Sequence, residues 1–135
     1  MKLTNRFSLL LTFFAVAAIA FATGQIKIAD VLTGAAKYDG KVITVQGTVA
    51  KFKQKTSKAG HPYFVFDVLE GTKKLEVYGQ GELKPAPKNG QKVEVTGSFV
   101  KEKTIGSFTV KNEIDVTKKP DVKASAKNGV KILDK

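Results

Sequence analysis

The stretch Gly40–Lys53, "GKVITVQGTVAKFK", decides how the chain is read. Val42, Thr44 and Gln46 alternate with Ile43, Val45 and Gly47, and β-branched residues dominate. That is the pattern of a half-buried strand. The motif returns 50 residues on without a gap, as Gly90–Lys103, "GQKVEVTGSFVKEK". Ile43 matches Val93, Val45 matches Val95, Gly47 matches Gly97, Val49 matches Phe99, and Lys51 and Lys53 match Lys101 and Lys103. Two copies do not make a repeat protein, which needs three or more stacked units. A physical reading fits better. Each strand must bend sharply while keeping one face buried, and a glycine in mid-strand permits a bulge or a tight corner. The two matched segments are therefore expected as strongly coiled strands of a small closed barrel.

Three further segments have strand patterning. They are "YFVFDVL" from Tyr63, "KKLEVYG" from Lys73 and "SFTVKNEIDV" from Ser107. Turn signals lie between them at Ala59–Pro62, Glu70–Thr72, Pro85–Gly90 and Ile105–Ser107. Ahead of the strands, Ile28, Val31, Leu32 and Ala35 fall on one helical stripe, so a helix is expected over Ile26–Ala36, stopped by Gly40. Pro85 and Pro87 exclude an ordinary helix between the third and fourth strands.

The fold class expected is all-β, a five-stranded Greek-key barrel of the OB-fold type with a short N-terminal helix. On the segments "KYDGKVITVQGTV", "HPYFVFDVLEGTKKLEVYG" and "NGQKVEVTGSFV", the chain resembles OB-fold nucleic-acid-binding domains of the tRNA-anticodon-binding type. Its layout is also similar to small exported bacterial OB-fold proteins. The resemblance runs from Tyr38 to Val116 and implies a fold more than a function. It departs from many OB-folds in lacking a helix after the third strand, so the expected N-terminal helix is a candidate to plug the barrel. Haem chaperones of cytochrome maturation are OB-folds too. Their haem-attaching histidine lies beyond the barrel, and here Thr117–Lys135 has no histidine.

The first 22 residues read as a secretory signal peptide. Lys2 and Arg6 precede a mostly apolar run from Phe7, and Ala20-Phe21-Ala22 offers small residues for cleavage before Thr23. That run is shorter than the ~20 residues a membrane span needs, so no span is expected after cleavage. The expected organisation is 1–22 signal peptide, 23–40 helical segment, 41–117 barrel and 118–135 basic, mobile tail, whose candidate docking residues are Val130, Ile132 and Leu133. The expected address is the periplasm or the cell exterior.

Composition narrows the chemistry. The chain has 135 residues, a formal charge of +11 and no cysteine or tryptophan. Arg6 is its only arginine, so loss of Lys2 and Arg6 with the leader leaves +9, carried by lysine alone. Lysine is a hydrated point charge, whereas arginine reads guanine edges and phosphates bidentately. A lysine-only surface favours contact with a polyanion over sequence readout; it also suits a merely solvated one. His61 is the only histidine and sits beside a proline turn, with no G-x-S-x-G and no carboxylate cluster near it. No phosphate loop or dinucleotide fingerprint appears. An enzyme is not expected, nor a metal or other cofactor.

OB-folds bind ligands across strands 2 and 3, between the loops that follow strands 1 and 4. Here those loops are expected to be "KFKQKTSKAGHP" and "KEKTIGS". Lys51, Lys53, Lys55, Lys58, Lys101 and Lys103 would supply charge. Tyr63 and Tyr78, facing out by alternation, would stack bases. Single-stranded nucleic acid, DNA or RNA, or another anionic polymer is the expected partner. The alternative is an envelope protein that binds a protein or small ligand on the same face.

Overall fold

The computed structural model describes residues 25–117 and 129–134. The expected signal peptide and most of the expected tail lie outside the described residues. The elements are α1 (Ile28–Thr33), α2 (Ala35–Tyr38), β1 (Val42–Thr56), β2 (Pro62–Glu70), β3 (Lys73–Gln80), β4 (Lys92–Ile105), β5 (Phe108–Asp115) and β6 (Val130–Ile132). Strand order is β1-β2-β3-β5-β4, and β4 pairs back onto β1 to close the ring. The β3–β5 contact is parallel and the other pairings within the ring are antiparallel. This is an all-β Greek-key barrel of the OB type.

The echoed strands are neighbours. Val45 pairs with Val95 across the β1–β4 ladder, Ile43 with Gly97, and Gly47 with Val93. The repeat thus sits about a local dyad at Val45–Val95. Both glycines mark close backbone approaches. A Cβ on Gly47 would overlap the Leu69 carbonyl oxygen and the Val68 side chain. A Cβ on Gly97 would meet the Asp115 carbonyl oxygen at 2.7 Å. Each strand bends where it must pass under the next strand of its own hairpin, β2 in one case and β5 in the other.

Alternation places Phe64, Phe66, Val68, Leu75, Val77, Val93, Val95, Phe99 and Ile114 inside, all but closed to solvent. Phe52 stacks on this cluster, its ring centroid 6.5 Å from Phe64 and 6.1 Å from Phe66. The helix before β1 plugs the barrel. Ile28 and Val31 are fully buried, and the Ile28 amide donates to the Glu70 carboxylate at the end of β2 (3.1 Å). The helix expected over 26–36 is split at Gly34 into α1 and α2. The connection after β3 carries no helix. It inserts Leu83 into the core, and its amide donates to Gln54 Oε1 (3.3 Å). No described helix is long and apolar enough to cross a membrane.

Two features differ from the sequence reading. A sixth strand is present. Val130–Ile132, where the sequence places the docking residues of an otherwise mobile tail, pairs antiparallel with β4 at Val93–Val95, and Val130 is buried. The ladder extends to Leu133 N–H on the Lys92 carbonyl (2.8 Å) and Lys92 N–H on Asp134 Oδ2 (2.9 Å). Secondly, the expected lysine loops are mostly strand. β1 runs to Thr56 and β4 to Ile105. A register shift between Ala50 and Lys53, with Lys51 at φ +55°, bends β1 without ending it.

Candidate functional site

The outer faces of β2 and β3 form a floor between two long hairpins. Cross-strand register sets the rows. Lys53 pairs with Val65 and Val65 with Tyr78. Further along, Ala50 pairs with Asp67, Asp67 with Glu76, and Glu76 with Glu113. A groove of about 590 Å³ opens above this floor. Lys51, Lys53 and Lys55 line it from β1. Ile105, Phe108 and Val110 line it from the β4–β5 hairpin, and Tyr63, Asp67, Lys74 and Glu76 lie along its base.

The expected site residues separate into groups. Lys51, Lys53, Lys55 and Tyr63 line the groove together. Tyr78 meets Tyr63 with ring centroids 5.9 Å apart, and the two tyrosines share a second hollow of about 390 Å³ with Ser57, His61 and Gln80. Lys58 is exposed in the β1–β2 turn and lines neither hollow. Lys101 is also exposed and off the groove; its backbone amide donates to Asp39 Oδ1 (2.9 Å), tying β4 to the end of α2.

Lys103 is engaged within the protein. Its ammonium lies 2.5 Å from Glu113 Oε1 and 5.1 Å from the centre of the Tyr78 ring. Glu113 retains 3% side-chain exposure and Lys103 28%. Burial pushes the Glu113 carboxyl up from its ordinary range. The bond and charge of Lys103 pull it down, and the Glu76 and Asp115 carboxylates push it further up. Asp115 in turn accepts from the Thr117 amide (2.9 Å).

Charge pairing leaves a bias. Asp67 is bound to Lys74 (3.5 Å) and Glu113 to Lys103. Among the described residues Lys51, Lys53 and Lys55 have no ion-pair partner, and Glu76 has none either. The uncompensated charge around the groove is therefore three cations against one anion, with the cations along one wall.

The opposite wall holds none of the expected site residues. Phe108 is 73% exposed and Ile105 59%, at the tip of the β4–β5 hairpin. Their signal is in "IGSF": an apolar residue on each side of a two-residue turn lies beyond the end of the barrel and cannot reach its core. Among the described residues no three His, Cys, Asp or Glu side chains are grouped to hold a metal ion.

No family model and no curated protein sequence matches the chain. Solved structures do match. Yeast Stn1 and Ten1 align at 11% identity and TM-score 0.44, over 70% of this chain and 43% of that one. A putative aspartyl-tRNA synthetase from Leishmania major Friedlin aligns at 12% identity and TM-score 0.49, over 68% of this chain and 19% of that one. This chain thus spans less than half the length of either. The OB assignment rests on the chain's own strand order and closure.

Proposed function

We propose that the chain is an exported, non-enzymatic binding module that holds single-stranded nucleic acid in the groove between β1 and the β4–β5 hairpin. One observation carries the reading: three unpaired lysines on one wall face an exposed aromatic tip on the other, above a floor that contains Tyr63. Lysines along β1 would follow the phosphates. Tyr63 and Phe108 offer flat apolar faces to bases, and such stacking tolerates any sequence. The lack of arginine suits a module that recognises the polymer more than its sequence. Export is supported by the leader pattern of Met1–Ala22, and amino-terminal sequencing of secreted protein should begin at Thr23.

Salt dependence tests the function. Three lysine–phosphate contacts on a single strand predict a slope of about −2 in log K against log salt. Lys51→Gln, Lys53→Gln and Lys55→Gln together should flatten that slope, measured by anisotropy of a labelled oligonucleotide. No binding at low salt would end the reading. Ile105 and Phe108 favour a second one, a protein or small-ligand partner in the envelope seated on the apolar tip. That partner's binding would change little with salt and would be lost in Phe108→Ser.

A further inference from the structure

Three carboxylates cross the floor in register, Asp67 on β2, Glu76 on β3 and Glu113 on β5. The outer two are held, by Lys74 and Lys103. Glu76 is exposed and lines the groove, and among the described residues its carboxylate makes no hydrogen bond or ion pair. Its position is fixed by β3, with Tyr78 two residues on along the same face, about 7 Å away. A free carboxylate facing phosphates would oppose a polyanion. The free lysines, however, lie along the β1 wall and Glu76 lies on the floor. A strand whose phosphates follow the lysines turns its bases toward the carboxylate.

We propose that Glu76 makes the groove select bases by their amino groups, favouring adenine, cytosine and guanine over thymine and uracil. This rests on the nucleic-acid reading above. An ionised carboxylate only accepts hydrogen bonds. Cytosine N4 and adenine N6 carry amino donors, and glutamate accepts from such groups. Guanine offers two adjacent donors on its pairing edge, which is free in a single strand. Thymine and uracil offer a single N–H flanked by two carbonyl oxygens. One oxygen of the carboxylate would then face a carbonyl, acceptor against acceptor.

The test uses the processed chain with labelled dA, dC and dT homopolymers of about 12 nucleotides, within the ~4–16 that an OB-fold covers. Anisotropy is read at one salt concentration for the native protein and for Glu76→Met. The native groove should hold dA and dC roughly three- to tenfold more tightly than dT, the range of one ordinary net hydrogen bond, since exposure to solvent offsets the gain from charge. Salt slopes should be equal for all three, because the phosphate contacts are shared. Glu76→Met should erase the preference, because its side chain keeps the length but has no oxygen to accept from an amino group. Equal native affinities for dA, dC and dT overturn the inference and leave the module reading standing. So does a preference that survives in Glu76→Met. If none of the three binds at low salt, the module reading fails and the inference with it.

Discussion

Replacing Lys103 with methionine keeps the length and apolar stem of the side chain but removes the cation from Glu113. The carboxyl has 3% exposure and cannot turn to water. Breaking a buried pair from one side typically costs about 3–5 kcal/mol, because the remaining charge is uncompensated. Lys103 keeps 28% of its side chain in solvent, which lowers the expected loss to about 2–3 kcal/mol. In a fold of this size that corresponds to a drop in Tm of roughly 10–20 °C. The cost falls on the ionised form alone. Burial already raises the Glu113 carboxyl, and losing Lys103 raises it further. A carboxyl raised in the folded state contributes stability that is fully present below its unfolded pKa and is lost as pH rises through the folded one. The deficit of Lys103→Met relative to the native protein should therefore be large at pH 8 and shrink toward pH 5. Urea melts at both pH values measure it. Lys103→Met with Glu113→Gln removes the charge that makes the cost and should recover most of the loss. A deficit equal at both pH values, or a double variant no more stable than the single one, would refute the assignment of Lys103 to an internal pair.

Gly47→Ala should destabilise by about 1–3 kcal/mol through overpacking against Leu69 and Val68, whereas Gly34→Ala, whose Cβ would find its nearest neighbours at 3.4 Å, should change stability by under ~1 kcal/mol in thermal melts. Phe108→Ser should leave stability within ~0.5 kcal/mol, since the ring is 73% exposed, yet weaken oligonucleotide binding by about 1–3 kcal/mol if the ring stacks on a base. Val130→Asp puts an unpaired charge at a 6%-exposed position and should cost at least the ~1.5–3 kcal/mol of a buried valine in urea denaturation; no change would show that β6 is not part of the cooperative unit.

The barrel was legible because its hardest local problem is written twice. Mid-strand glycines at 47 and 97, each in an alternating β-branched run, signal two strands that bend under close neighbours, and Val45 opposite Val95 shows the copies side by side. Pro85 and Pro87 signalled a helix-free connection, and the stripe of Ile28 and Val31 signalled a plug. β6 was less legible for a reason of scale. A three-residue strand has almost no pattern of its own, and its order comes from docking on β4, a contact with residues more than 30 positions away. The ends of β1 and β4 were misplaced because lysine-rich, turn-flanked sequence resembles loop. A lysine at φ +55° gives no signal that β1 bends there and continues.

The site shows where an echo stops being a guide. By the offset of 50, Lys53 and Lys103 are counterparts, and so are Ala50 and Val100. Register extends the match to the partner strands: Ala50 lies opposite Asp67 as Val100 lies opposite Glu113, and Lys53 opposite Val65 as Lys103 opposite Val110. Each hairpin therefore has one lysine and one acid in equivalent places. In the β4–β5 hairpin they bind each other. In the β1–β2 hairpin they do not. The register shift after Ala50 inserts a residue on the lysine side, and Lys74 from β3 takes Asp67 instead. Matched positions thus hold an internal ion pair on one wall and a free cation on the other. That difference leaves the free cations of the groove on the β1 wall. The asymmetry depends on a bend in β1 and on a side chain of a third strand, neither of which is visible in the two matched segments.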